Sequence, residues 1–133
     1  MNGKEVLYAY IRQLEKVDAL KESLAEARSG ATRTTRHIDG LMVDRSKVID
    51  RRAEKLLVLS ERYDMELAHL LGIETDLMHA IGRIRNNVHA TFLIRKYVLE
   101  ESYDAIAKTL DYSTQQLRRI NVICLETLSE IVL

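Results

Sequence analysis

Between Ile49 and Ile84 the apolar side chains return in alternating steps of four and three: Ile49, Ala53, Leu56, Ser60, Tyr63, Leu67, Leu70, Glu74, Leu77, Ile81 and Ile84. The mean step is about 3.5 residues, the period of a helix seam that lies against another helix and a period no strand can produce. Ser60 and Glu74 are polar interruptions of the seam. Gly72 falls inside the run without shifting its phase, which predicts one continuous helix from about Ser46 rather than two. Leu57, Leu59, Leu71 and Ile73 widen the stripe beyond a strict two-helix seam. The helix is therefore expected to meet both a neighbour in its own chain and a further surface.

The neighbour is found upstream. Leu7, Tyr10, Leu14, Val17, Leu20 and Leu24 recur every three or four residues, which predicts an amphipathic helix over 3–28. It can fold back antiparallel over part of the seam. Apolar surface left over is worth about 25 cal/mol per Å² if covered, and self-association as a homodimer is the simplest cover. The chain has no proline, the residue that most often interrupts long helices. Between the two helices, Ser29, Gly30, Thr32, Thr34, Thr35 and Gly40 are poor helix formers, so 29–45 is expected to be a loop. Arg28, Arg33 and Arg36 make its first half basic, a possible arm for a phosphate backbone. The expected organisation is all-α: a helical hairpin arm over 1–73, then a smaller helical domain over 74–133.

Bulk properties narrow the class. Hydrophobic residues are 47% of the 133, enough for a core, so disorder throughout is excluded. A single cysteine, Cys124, allows no internal disulfide and suits a reducing compartment. No apolar run nears the roughly 20 residues that span a bilayer, and the first residues lack a signal-peptide pattern, so a cytoplasmic location and no membrane partner are expected. Net charge is zero but unevenly spread: +4 over 28–55, −4 over 56–82 and +3 over 83–119. Screening confines each patch to about 10 Å at ordinary salt, so a locally basic nucleic-acid face is compatible with global neutrality.

The last third carries the sharpest local signals. A short helix is expected over 88–98, after Asn86 and Asn87 end the long one. Ser102 is a good N-cap for a third helix ending at Leu110, with Asp104 in its first turn, where the helix dipole favours an anion. Asp111 and Tyr112 form a tight turn. Ser113 then caps the last helix, and Gln116 three residues on completes a Ser-x-x-Gln capping box. At 100° per residue, Leu117, Ile120, Cys124 and Leu128 share one face, and Gln115, Arg118, Arg119 and Val122 lie opposite. This is a helix-turn-helix pattern in which the second helix buries apolar residues and offers polar ones to a DNA groove. Arginine bonds guanine bidentately and glutamine bonds adenine, which makes Gln115, Arg118 and Arg119 the candidate base readers. Arg95, Lys96, Lys108 and Thr114 are candidates for phosphate contacts, which position without reading sequence.

The stretch from Arg95 to Ile120 resembles region 4 of the sigma-70 family through Tyr97, Ser102, Ile106, Ala107, Leu110, Ser113, Leu117 and Arg119. The chain as a whole is similar in pattern to small phage proteins of Gram-positive bacteria that join a helical arm to such a region and resemble late-gene transcription regulators. The resemblance covers about 77–128 and implies a phage or prophage protein of a bacterial host cell that binds duplex DNA, with RNA polymerase as a further partner. Two departures stand out. Ala105 occupies the position before Ile-Ala that is usually acidic, which weakens the inference of the usual contacts, and Cys124 replaces a customary alanine. No aromatic-rich promoter-melting segment is present, so promoter opening is not implied.

Other chemistries find little support in the pattern. Glu66 with His69, and Asp76 with His79, have Glu-x-x-His-like spacing, but a di-iron bundle needs two complete motifs and two further carboxylates. His37, His69, His79 and His89 have no zinc spacing. There is no phosphate-binding glycine loop and no nucleophile elbow. The expectation is a protein without enzymatic activity, metal or cofactor. Two other functions fit the same features: a DNA-packaging accessory of the small-terminase kind, and a polymerase- or sigma-binding module that never touches DNA.

Overall fold

The computed structural model describes residues 1–37 and 45–133, with side chains described outside 31–46. The described residues are all-α. α1 spans Gly3–His37, α2 Arg45–Gly82, α3 Asn87–Leu93, α4 Tyr103–Leu110 and α5 Thr114–Glu130, and a π-helical turn over Ile94–Val98 follows α3. None of these helices is long and apolar enough to cross a membrane. The chain divides into two compact units, Met1–Arg12 with Leu71–Leu133, and Gln13–Leu70.

In the Gln13–Leu70 unit, α1 and α2 run antiparallel. Val17, Leu24, Ala27 and Leu70 are buried there, and so are Gln13 and Glu66. The Gln13 side-chain amide donates to the Glu66 backbone carbonyl at 2.9 Å and to Glu66 Oε2 at 2.7 Å. Lys16 and Arg62 each approach Glu66 Oε1 at 3.3 Å. A polar pair inside a helix seam is satisfied in only one register, so it selects the alignment at some cost in stability. The Gln13 hydrogen bond, joined by Lys16 and Arg62, holds the Glu66 carboxyl below the usual glutamate range against the opposing effect of burial.

The seam lies slightly off the expected line. Leu70, Leu77, Ile81 and Ile84 are buried as the periodicity predicts, but Ile49 is half exposed and Ala53 is exposed. Glu66 and Ala80 are buried instead, while Leu67 and Glu74 are only half-buried. A heptad seam needs two columns. The column through Tyr63, Leu70, Leu77 and Ile84 can be completed on either side, and pattern alone does not choose. Gln13 makes burial of Glu66 tolerable, and Ala80 is small enough for close approach, so these two are buried on that side, while Ile73, like Glu74, is half-buried and Ile81 stays buried. On α1 the same logic replaces Leu14 by Gln13. The buried set Val6, Tyr10, Gln13, Val17, Leu24 and Ala27 keeps the 3.5-residue rhythm, and Leu14 and Leu20 flank it half-buried.

Helix ends also differ from expectation. The loop predicted over 29–45 is helical through His37 and again from Arg45; residues 38–44 lie outside the described residues. Weak formers cost at most about 1 kcal/mol each, and extending an existing helix gains a hydrogen bond per residue, so propensity alone did not stop α1. α2 continues through Gly72, which has nothing within 4 Å of where a Cβ would stand. It stops at Gly82, and the Arg83 and Ile84 amides close onto Ala80 and Ile81 carbonyls at 3.1 and 3.0 Å. Asn86 therefore does not end α2 but caps α3, its Oδ1 accepting from the Val88 and His89 amides at 3.0 and 3.2 Å.

The other unit buries Phe92, Leu93, Ile106, Leu117, Cys124 and Leu128 as well as Leu77, Ala80 and Ile81, and Gly3 at the start of α1 lies against Leu128 and Ala80. Val6, Leu7 and Tyr10 are buried, which is why residues 1–12 belong with this unit rather than with an arm over 1–73. The Gly3 amide donates to the Ile131 carbonyl at 2.8 Å and the Leu133 amide to the Met1 carbonyl at 3.0 Å. Asn2 pairs with Val132 in an isolated antiparallel bridge, and its side chain caps α1 by accepting from the Glu5 amide at 2.9 Å.

Candidate nucleic-acid interface

α4, the turn and α5 are built by local chemistry. Ser102 Oγ accepts from the Ala105 amide at 3.1 Å and starts α4. α4 ends where Asp111 turns left-handed, φ 59° and ψ 46°, and the Tyr112 amide reaches back to the Ala107 carbonyl at 3.2 Å. Asp is one of the few non-glycine residues that adopts this conformation at modest cost. Ser113 and Gln116 then form the reciprocal capping box: the Gln116 amide donates to Ser113 Oγ at 3.1 Å and the Ser113 amide to Gln116 Oε1 at 2.9 Å. Gln116 is committed to that box, which leaves Gln115 as the outward amide.

On α5, Leu117, Cys124 and Leu128 are wholly buried, and Ile120 is half-buried. Gln115, Arg118 and Arg119 are exposed on the opposite side together with Val122. Thr114 is half-buried at the helix start and Lys108 is exposed on α4. The face thus offers one carboxamide and two guanidinium groups, hydrogen-bonding groups that suit base edges. Among the described residues, neither arginine has a carboxylate partner; Arg118 lies 5.6 Å from the centre of the Tyr103 ring. Lys96 approaches the same ring, its Nζ 4.7 Å from the centroid.

Arg95 has a different post. Its Nη1 bonds both carboxylate oxygens of Glu101, at 3.1 and 3.3 Å, and its Nε is buried without a partner. The pair ties the π-helical turn to the residue before the Ser102 cap, and Arg95, its side chain still 30% exposed, is thereby engaged with Glu101 rather than free as a phosphate contact. Arg28 is exposed on α1, in the Gln13–Leu70 unit, and the side chains of Arg33 and Arg36 lie outside the described residues.

Two further polar groups of this unit, Tyr97 and Cys124, make contacts within it. The Tyr97 hydroxyl donates to Asn121 Oδ1 at 2.7 Å, and burial raises its pKa. Burial likewise pushes the Cys124 thiol up to about 12; its Sγ lies 3.7 Å from the His89 carbonyl. Among the described residues no group of three or more His, Cys, Asp or Glu is assembled to hold a metal. Glu66, the first member of one spaced motif, is occupied by Gln13, Lys16 and Arg62.

Tyr103 is the residue that pattern reading missed. An aromatic directly after an N-cap was visible, but its meeting with Arg118, fifteen positions on, depends on the turn between α4 and α5. What the described fold defines is an all-α protein. No family model, curated protein or solved structure matches the chain.

Proposed function

We propose that the protein is a DNA-binding transcriptional regulator, phage or prophage encoded, that reads duplex DNA with α5. In this reading α4, the Asp111 turn and α5 form a helix-turn-helix carried on a helical hairpin. One observation carries it: Gln115, Arg118 and Arg119 are exposed together on the first two turns of a capped helix whose other face buries Leu117, Cys124 and Leu128. Lys96, Lys108 and Thr114 then hold the phosphate backbone, and Gln115, Arg118 and Arg119 read bases.

A homodimer formed through the helical arm belongs to this reading. Within the Gln13–Leu70 unit α1 meets α2 at Glu66, while Ile49 and Ala53 near the start of the seam stay exposed. Leu57, Val58 and Met65, at 60%, 59% and 65% exposure, are with Ile49 the large apolar residues that α2 exposes in this unit.

The test is fluorescence anisotropy with DNA fragments flanking the protein's own gene, across a salt series. Specific binding is expected, and losing one bidentate base contact should cost about 1–3 kcal/mol. If the Arg118→Ala, Arg119→Ala double variant bound as specifically as the parent, the assigned face would be wrong.

A further inference from the structure

Three elements converge on one aromatic ring. Tyr103 opens α4, Lys96 lies on the π-helical turn before it, and Arg118 lies on the second turn of α5. Lys96 Nζ is 4.7 Å and the Arg118 guanidinium carbon 5.6 Å from the ring centre, both within the roughly 6 Å reach of a cation–π contact. The ring is itself fixed, stacked on the wholly buried Phe92 with centroids 6.2 Å apart and planes 28° apart. Among the described residues, neither cation has a carboxylate within 4 Å; the nearby Glu101 is paired with Arg95.

Two cations drawn to one anchored ring, without an acid to neutralise them, make an arrangement suited to a polyanion. An unrestrained arginine must give up rotamer freedom to bond a base edge bidentately, and a contact that restricts it beforehand reduces that loss. We infer that Tyr103 is a specificity-determining positioning residue: it holds Arg118 ready on the outer face of α5 for base contact and seats Lys96 for the adjacent phosphate. The inference rests on the DNA-reading function proposed above. It adds that α5 does not read alone, because the first residue of α4 sets the aim of its second-turn arginine. Tyr103 acts through Arg118 and needs no contact with DNA itself.

The experiment pairs a structural readout in the free protein with a binding readout. In NMR spectra of the DNA-free protein, the Arg118 side-chain resonances should show an upfield ring-current shift in the parent and in Tyr103→Phe, and lose it in Tyr103→Leu. In anisotropy titrations, Tyr103→Leu should lower the ratio of specific to nonspecific affinity by about 2- to 5-fold, the size of an exposed cation–π contact. Tyr103→Phe should keep that ratio. Lys96→Ala should instead reduce the salt dependence by about one phosphate contact and leave the ratio unchanged.

A double-mutant cycle separates positioning from mere support of the fold: Tyr103→Leu should have no further effect on specificity in an Arg118→Ala background. An equal loss in both backgrounds, an unchanged ratio in Tyr103→Leu, or no ring-current shift in the parent each overturns the assignment while leaving the DNA-reading function standing. The parent's shift needs no variant to fold. A parent that binds all DNA sequences equally would instead overturn the DNA-reading function, and this assignment with it.

Discussion

Replacing Gly3 and Gly72 by alanine, one at a time, makes the same chemical change on two helices and should move stability in opposite directions. At Gly72, in the interior of α2, an added Cβ meets nothing within 4 Å. Only the backbone term remains, and alanine in place of glycine in a helix interior gains about 0.5–1 kcal/mol. At Gly3 the Cβ would stand 2.9 Å from the Leu128 carbonyl oxygen, 3.1 Å from Leu128 Cδ2 and 3.4 Å from Ala80 Cβ. The leucine methyl can swing away, but the carbonyl is backbone of α5. The Gly3 amide is also bonded to the Ile131 carbonyl at 2.8 Å, which ties the first turn of α1 to the end of α5. Overpacking of this kind costs about 1–3 kcal/mol, and the propensity gain at a first helical position recovers less than 1 of it, so a net loss of about 1–2 kcal/mol is expected. At roughly 4 °C per kcal/mol for a chain of this size, Gly72→Ala should raise the melting temperature by about 2–4 °C and Gly3→Ala lower it by about 4–8 °C. Thermal melts followed by circular dichroism at 222 nm, with urea titrations as a check, measure both. If Gly3→Ala melted at or above the parent temperature, the close seating of α1 on Leu128 and Ala80 would be refuted, and with it the membership of residues 1–12 in the C-terminal unit.

The Cys124 thiol, raised to about 12 by burial, should react with Ellman's reagent at pH 8 only as fast as the protein opens, and immediate stoichiometric labelling of the native protein would contradict its burial. Because that pKa is raised on folding, the neutral thiol's contribution is intact below the ordinary thiol value and is lost as pH climbs from about 9 towards 12; Cys124→Ala should lack this part of the alkaline decline. Glu66 has the opposite sign: its pKa is lowered, so its contribution is present above the ordinary glutamate value and lost as pH falls through the depressed one. Acid titration should therefore destabilise the parent more steeply than Glu66→Gln, and parallel acid curves would show that the Gln13 contact does not favour the ionised carboxylate. Glu100 sits at φ 55°, where an L-residue pays about 1–2 kcal/mol; glycine avoids that but loses about 0.4–1 to chain entropy, so Glu100→Gly should be stabilising by up to about 1.5 kcal/mol in urea unfolding. A clear loss on that substitution would mean that the Glu100 side chain makes a contact worth more than its backbone strain.

The capped elements were the most legible. Ser102 and the Ser113–Gln116 box act through groups three residues apart, so local spacing suffices to place helix starts. The same locality misled at Asn86: an asparagine can end one helix or begin the next, and only the free amides of Val88 and His89 decide which. The outward set Gln115, Arg118 and Arg119 was legible too, because helical period and one apolar face together define the other face. Arg95 and Tyr103 were not. Whether a cation is spent on Glu101 or drawn to a ring depends on how the π-helical turn and α4 fold against α5, and neighbours six and fifteen positions apart are not fixed by any period.

By itself the sequence determined that the chain is helical, where its capped helices begin, and that one long helix runs through Gly72, since each follows from hydrogen bonds and periodicities within a few residues. Tertiary structure alone decided that Glu66 and Ala80 of α2 are buried, that Gln13 and Glu66 share an interior, and that residues 1–12 belong to the C-terminal unit. The physical reason is that side chains on both sides of an apolar stripe are nearly equivalent until a partner helix arrives. The partner's shape and hydrogen-bonding groups, such as the bare backbone of Gly3 and the amide of Gln13, then make one of them cheaper to bury.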